Sequence, residues 1–296
     1  MPYVGEISAL LTAVLWSGSS VVFAVAANRV GSMTVNIARL VLAAIYLSLV
    51  MAFAGFDLTV SQRQVINLAI SGVIGLALGD SFLFRSYREI GPRISMLVMS
   101  SAPAIGAILA FFFLNEVLSS WSIIGMAVTL AGIAIVVLER NGSERGTTVL
   151  TGAGVVSAFL GAVGQGTGLI FAKMAFNEGP VNGFVATFIR IIASLVVLLP
   201  VVIATRRLRG AFSRFNTDRR AFWLTAGGSV VGPFLGIALS LIAVAHTSVG
   251  VAATLMATVP ILMLPLVWIV YKERLTWRSL AGAWLAVGGV GILFLR

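Results

Sequence analysis

Two stretches of the chain, residues 79–139 and 236–296, lie over one another without a gap at a constant offset of 157 residues. Only 11 of the 61 aligned positions are identical, but the matches fall on residues with special backbone or charge demands. Just upstream Gly75 meets Gly232, and within the block Gly79 meets Gly236 and Pro103 meets Pro260. Glu116 meets Glu273, and Gly125 and Gly132 meet Gly282 and Gly289. Drift between two unrelated apolar segments exchanges Leu for Val; it does not align Pro with Pro. An internal repeat constrains the architecture more tightly than any local signal, because both copies must satisfy one pattern.

The residues around the repeat place it in a membrane. The chain is 59% hydrophobic and 10% charged, against about 25% charged residues in a soluble domain. Ten apolar runs are long enough for helices of roughly 20 residues, the length that crosses a bilayer. They cover about 5–27, 33–53, 64–86, 92–114 and 119–138, then 150–175, 181–204, 221–245, 249–271 and 276–295. We number them spans 1 to 10. The alternating pattern of a barrel is absent. Ala24-Val25-Ala26 resembles a cleavage site, but no basic segment precedes the long apolar run, which reads as a membrane helix.

The expected fold is therefore an all-α polytopic membrane protein of ten transmembrane helices. Residues 1–140 form a first five-helix repeat, 141–149 a polar linker, and 150–296 a second repeat. Because five is odd, the second copy enters the membrane in the opposite sense, giving two inverted repeats. Loops after odd-numbered spans hold fifteen Lys and Arg, six of them in 205–220, while Arg63, Lys173 and Arg296 lie on the other face. Basic loops stay in the cytoplasm, so both termini are expected on its far side, in a bacterial inner membrane. The same rule explains the net charge of +10 without a nucleic-acid partner. The run 205–220 reads first as a topology anchor and second as an anionic-lipid contact.

Polar groups inside spans are costly and mark candidate sites. Asp80, after Gly75-Leu-Ala-Leu-Gly79, is the one acid deep in an apolar run. It serves either as a cavity wall or proton site, or as a partner of Arg85 or Arg88. Arg39 and Arg190 sit inside spans 2 and 7; bracing pairs Arg39 with Glu273 and Arg190 with Glu116 are expected at the two ends. Pro103 and Pro260 interrupt spans 4 and 9 and free a backbone carbonyl each. Paired interruptions in two halves point to a transporter's binding site. Met99, Ser100, Ser101, Met256 and Thr258 flank them, and Trp16 and Gln165 lie at mid-depth in spans 1 and 6. His246 falls at a helix end and reads as structural.

Other function classes lack their residues. There is no P-loop motif, no Cys, no His pair at ligand spacing and no cluster of acids, so no ATP site, metal or other cofactor is expected. An enzyme is the weaker class, and a non-transporting scaffold is a third.

The mid-helix proline, the Glu-x-Leu-Ser/Thr at the helix end and the two spaced glycines, together with Arg39-Leu-Val-Leu-Ala-Ala, resemble the EamA-type signature. That family belongs to the drug/metabolite transporter superfamily, and the likeness covers nearly the whole chain, twice. Within it the chain is most similar to YddG-type exporters of aromatic amino acids. The resemblance implies a basket of ten helices around a central cavity. Carried onto this sequence, it selects Trp16, Gly79, Asp80, Phe84, Met99, Pro103, Gln165, Gly236, Ser240, Met256 and Pro260 as cavity residues. Small multidrug members carry a coupling Glu within their first span; here only Glu6, at its very start, is available. The expected activity is alternating-access export of amino acids or similar small metabolites, with a broad drug or lipid-intermediate exporter as the alternative. Oligomeric state is left open.

Overall fold

A computed structural model describes residues 3–138, 151–204, 214–262 and 276–294. Every regular element among them is a helix. Span 1 is Val4–Val30, span 2 Ser32–Ala54, span 3 Gln62–Glu89 and span 5 Ser120–Leu138. Span 6 is Gly152–Asn177, span 7 Gly183–Ala204, span 8 Arg219–His246 and span 10 Trp277–Phe294. Span 4 is two helices, Gly91–Met99 and Ala102–Leu114, and span 9 begins as Val249–Met256. Seven helices are long and apolar enough to cross a membrane, and three shorter apolar helices accompany them. The chain is a multi-pass membrane protein. Phe112, Trp121, Trp223 and Trp284 are largely exposed on the outside of the bundle, where lipid rather than water is the solvent.

The repeat shows itself in details as fine as a helix break. Span 4 breaks at Ser100-Ser101, where short-range bonds from Ser100 N–H to Leu97 O (3.1 Å) and Ser101 N–H to Val98 O (3.0 Å) close the first half. Span 9 breaks at Ala257-Thr258, 157 residues on, with Thr258 N–H donating to Leu255 O (3.2 Å). Pro103 and Pro260 each sit just inside the helix that restarts, where a missing N–H costs nothing. The expected interruptions are there.

A second coincidence is one the pattern of residues did not reveal. Val73–Gly79 in span 3 and Val230–Gly236 in span 8 are π-helical turns at the same offset of 157. Asp80 N–H reaches back five residues to Gly75 O, and Ile237 N–H does the same to Gly232 O. Such widened turns rotate the following side chains relative to an α-helix and recur at functional sites. Pro233, within the second of them, supplies no N–H and so removes one competing α-helical bond.

The matched glycines explain how the helices meet. A Cβ on Gly132 would stand 2.5 Å from Ala286 N, and one on Gly289 would stand 2.5 Å from Thr129 N. Gly125 and Gly282 complete this seam, so spans 5 and 10 run against one another backbone to backbone. In a bilayer, where no hydrophobic effect drives helices together, small residues permit this close packing. Span 3 packs on span 6, and span 8 on span 1; span 4 packs on span 6, and span 9 on span 1. Shifting every span by five exchanges these pairs, the relation a two-fold axis imposes. Five spans per half make that axis one that inverts the second repeat.

Contacts at the helix ends sort onto two faces as ten alternating spans require. One face holds Arg29–Asp218 (2.6 Å) and Arg214 Nη1 donating to Val30 O (3.0 Å). These join the end of span 1 to the run before span 8. Burial of the run 205–213 and the linker at 141–149 lies outside the described residues.

Candidate functional site

Spans 1, 2, 3, 4, 6, 7, 8 and 9 enclose a central cavity of about 130 Å³. Its wall is mostly apolar: Trp16 and Phe23 from span 1, Phe84 and Tyr87 from span 3, Met99 and Met256 beside the two helix breaks. Ser19, Ser20, Ser100, Gln165 and Ser240 add polar points. Among the described residues the three charged wall residues are Arg39, Asp80 and Arg190.

Arg39 is paired. It forms an ion pair with Asp80, its Nε donates to Asn36 Oδ1 (3.0 Å), and Asn36 Nδ2 donates on to Ser81 Oγ (3.2 Å). Its guanidinium carbon lies 4.8 Å from the centre of the Phe84 ring and 5.6 Å from that of Phe23, positions that attract a cation to the ring face. The π turn ending at Gly79 puts Asp80 where this pair can close.

Arg190 differs. It is 2% exposed and its Nε has no hydrogen-bond partner among the described residues. Among the described residues its guanidinium forms no ion pair. Its backbone, in contrast, is tightly placed: a Cβ on Gly72 would come within 2.1 Å of the Arg190 carbonyl oxygen, and Ser194 Oγ donates to that oxygen (2.6 Å). Gly75 leaves room for the head group, since a Cβ there would stand 3.1 Å from Nη2.

Of the bracing pairs expected from the sequence, Arg190 with Glu116 does not form among the described residues. Arg39 takes Asp80 from within its own repeat, and Glu273 lies outside the described residues. Glu116 Oε2 instead accepts from Val249 N–H (2.9 Å) at the start of span 9. The physical reason is depth: Arg190 reaches the cavity, while Glu116 sits at the end of span 4, nearer a helix N-terminus whose free N–H groups suit an anion. Arg85 pairs with Glu89 (2.7 Å) rather than with Asp80. His246 Nδ1 lies 2.9 Å from the carbonyl of Ile242, a local contact at a helix end.

Of the cavity residues selected by resemblance, Trp16, Asp80, Phe84, Met99, Pro103, Gln165, Ser240 and Met256 are on the wall. Gly79 and Gly236 stand behind it. A Cβ on Gly79 would meet Gly164 Cα at 3.3 Å, and one on Gly236 would meet the Trp16 indole nitrogen at 2.5 Å. Pro260 is buried, and Met256, Ala257 and Val259 face the cavity in its place. Ser19, Ser20 and Phe23 were missed, although they fall three, four and seven residues after Trp16, the spacing of one helix face. Arg190 was placed as a brace and is a wall residue.

The two ends of the cavity are unlike. Towards the face of the N-terminus, Lys173 Nζ donates to Val244 O (2.8 Å) and Thr247 O (3.0 Å), and Thr247 Oγ1 donates to Glu6 (3.2 Å). With Glu116 on Val249, these bonds tie spans 1, 4, 6, 8 and 9 together. On the opposite face an opening of about 520 Å³ lies between spans 2 and 3, lined by Ser32, Asn36, Ser81, Arg85, Arg88 and Glu89 among others; Phe84 lines both it and the central cavity.

A polytopic bundle whose repeated halves wall one central cavity, with the helices broken beside it, has the architecture of a membrane transporter. The sequence pattern of the EamA-like transporter family matches residues 3–138 and 152–295, and the chain belongs to that family. An uncharacterized transporter of Archaeoglobus fulgidus is 22% identical over 287 residues, covering 97% of this chain and 96% of its own. A protein of known crystal structure shares the fold with a TM-score of 0.75 at 18% identity, covering 98% of this chain and 96% of that one. Family and relative both mark a transporter and not an enzyme. No group of three or more metal-ligating side chains occurs among the described residues.

Proposed function

We propose that the chain exports, or facilitates the passage of, amino acids or similar small metabolites across a bacterial inner membrane by alternating access, with aromatic amino acids as the leading class. The observation that carries this reading is the cavity itself. At about 130 Å³ it is close in size to an engineered cavity of about 150 Å³ that takes a benzene ring. Aromatic and methionine side chains line it, which suits one aromatic ring.

The halves 1–140 and 150–296 would rock about the breaks at Ser100-Ser101 and Ala257-Thr258. The bonded face and the opening opposite it are consistent with a state open towards the Arg-rich face, which the loop charges assign to the cytoplasm.

Counterflow in liposomes tests the reading. Liposomes containing the purified protein and loaded with unlabelled phenylalanine should accumulate labelled phenylalanine faster than protein-free liposomes. Movement of hydrophobic cations with none of the amino acids would replace this reading by the drug-exporter one. Failure to move any solute of a panel of amino acids, organic acids and hydrophobic cations would overturn both. Labelling of a cysteine introduced near position 212 from outside intact cells would overturn the orientation.

A further inference from the structure

We propose that Arg190 is the anchor for a carboxylate, so that the central cavity selects small organic acids with an aromatic or apolar body, amino acids among them through their carboxylate. This deepens the transporter reading and rests on it for the movement of the solute, but not for its binding.

The argument is one of charge. Among the described residues the wall carries two guanidinium groups and one carboxylate, and Arg39 already engages that carboxylate. The Arg190 guanidinium feels Asp80 only through space and has no ion pair or hydrogen bond of its own among the described residues, so its charge sits in a buried, mostly apolar setting with Nε unbonded. A charge without a bonded partner inside a membrane protein is costly, and one that persists there is paired, or awaits a partner. Its guanidinium offers a planar fork that fits a carboxylate through two parallel bonds. Two features keep that fork available. Gly72 fixes the backbone of Arg190, and Gly75 omits the side chain that would crowd Nη2.

The repeat explains the vacancy. Asp80, the partner of Arg39 in the first half, corresponds at an offset of 157 to Ile237 in the second, and Ile237 is also a wall residue. The second half keeps its arginine and lacks its aspartate. Apolar groups surround the remaining space, with Trp16, Leu169 and Ile237 on the wall. Inorganic anions would therefore fit the charge but not the rest of the cavity.

Thermal unfolding of the full chain in detergent tests this directly, with 3-phenylpropanoate, its amide, 3-phenylpropylamine and inorganic phosphate as probes. The carboxylate should raise the Tm in a saturable way, and the other three should not. In Arg190→Gln the half-saturating concentration should rise by at least about tenfold, while the Tm without ligand equals or exceeds that of the unaltered chain. A structural brace would lower it. Gly75→Ala, which crowds the head group and keeps its charge, should also weaken the response and serves if Arg190→Gln folds poorly. Equal stabilisation by the amide, the amine or phosphate would overturn the proposal. So would an unchanged response in Arg190→Gln, or no response to any carboxylate. Counterflow separates the two readings: binding of the carboxylate without movement of any solute sinks the transporter reading alone, and movement of carboxylate-free solutes as fast as acids sinks the carboxylate anchor alone.

Discussion

Arg39 and Arg190 occupy corresponding spans of the two halves, and both are buried at the wall of one cavity. The first is paired, with a carboxylate, an amide and two aromatic faces around it. The second has a tightly held backbone and a head group with an unbonded Nε. The difference teaches that the halves share a scaffold but not a task. Repeated glycines and prolines maintain the common backbone; a single departure, Asp80 against Ile237, goes with one arginine that is ion-paired and another that has no ion pair among the described residues.

The comparison can be broken most decisively at its closed member. Arg39→Gln strands Asp80, and loss of one member of a buried pair costs about 3–5 kcal/mol. A large fall in Tm is expected, partly recovered in Arg39→Gln with Asp80→Asn. If Arg39→Gln proved as harmless as Arg190→Gln, the distinction between the two arginines would collapse.

Backbone packing comes next. Gly72→Ala forces a methyl group against the Arg190 carbonyl and should destabilise by about 1–3 kcal/mol, the usual range for overpacking. The corresponding position in the other half is Ser229, buried and already carrying a side chain. Ser229→Ala should be close to neutral, and equal losses at both would show that the seams are alike.

Ile237→Asp restores the missing carboxylate and sharpens the comparison. Arg190 would gain an internal partner, and the response to 3-phenylpropanoate should weaken by at least about tenfold. Retention of full binding would place the anion elsewhere.

The smallest effect concerns the ends. Arg29, first, and then the Ala221 N–H hold the Asp218 carboxyl below its ordinary pKa. A depressed carboxylate contributes stability that is complete above the ordinary value, about 3.9, and is lost as pH falls through the folded one. Tm should therefore be insensitive to this pair at neutral pH and decline only in strong acid, and Asp218→Asn should flatten that decline. A change near pH 7 would point to another group.

Much of the fold was legible because the repeat and the apolar runs are physical necessities: a helix crossing a bilayer needs its length, and Pro103 and Pro260 cannot sit within an unbroken hydrogen-bond ladder. The seam of Gly125, Gly132, Gly282 and Gly289 was legible as small residues but not as a place, since nothing in a glycine names its neighbour. The π turns were hidden because widening by one residue leaves no mark on hydrophobic periodicity over seven residues. Of the site, Asp80 stood out by its cost. Its partner did not, because Arg39 and Arg190 look identical in the sequence and differ only through what faces them. The mismatch of Asp80 with Ile237 was the available signal.

The closure near the N-terminal face holds one more consequence. Lys173 grips the carbonyls of Val244 and Thr247, and Glu116 grips the N–H of Val249. This latch is therefore half main chain. Every residue except proline offers the same carbonyl and N–H, so substitutions at 244 and 249 leave its catch plate in place, while one at 247 also removes the bond from Thr247 Oγ1 to Glu6. Its strength is set by side chains, Lys173 and Glu116 with the Thr247–Glu6 bond beside them, which makes these the dial by which closure of that face can be tightened or eased without touching the cavity.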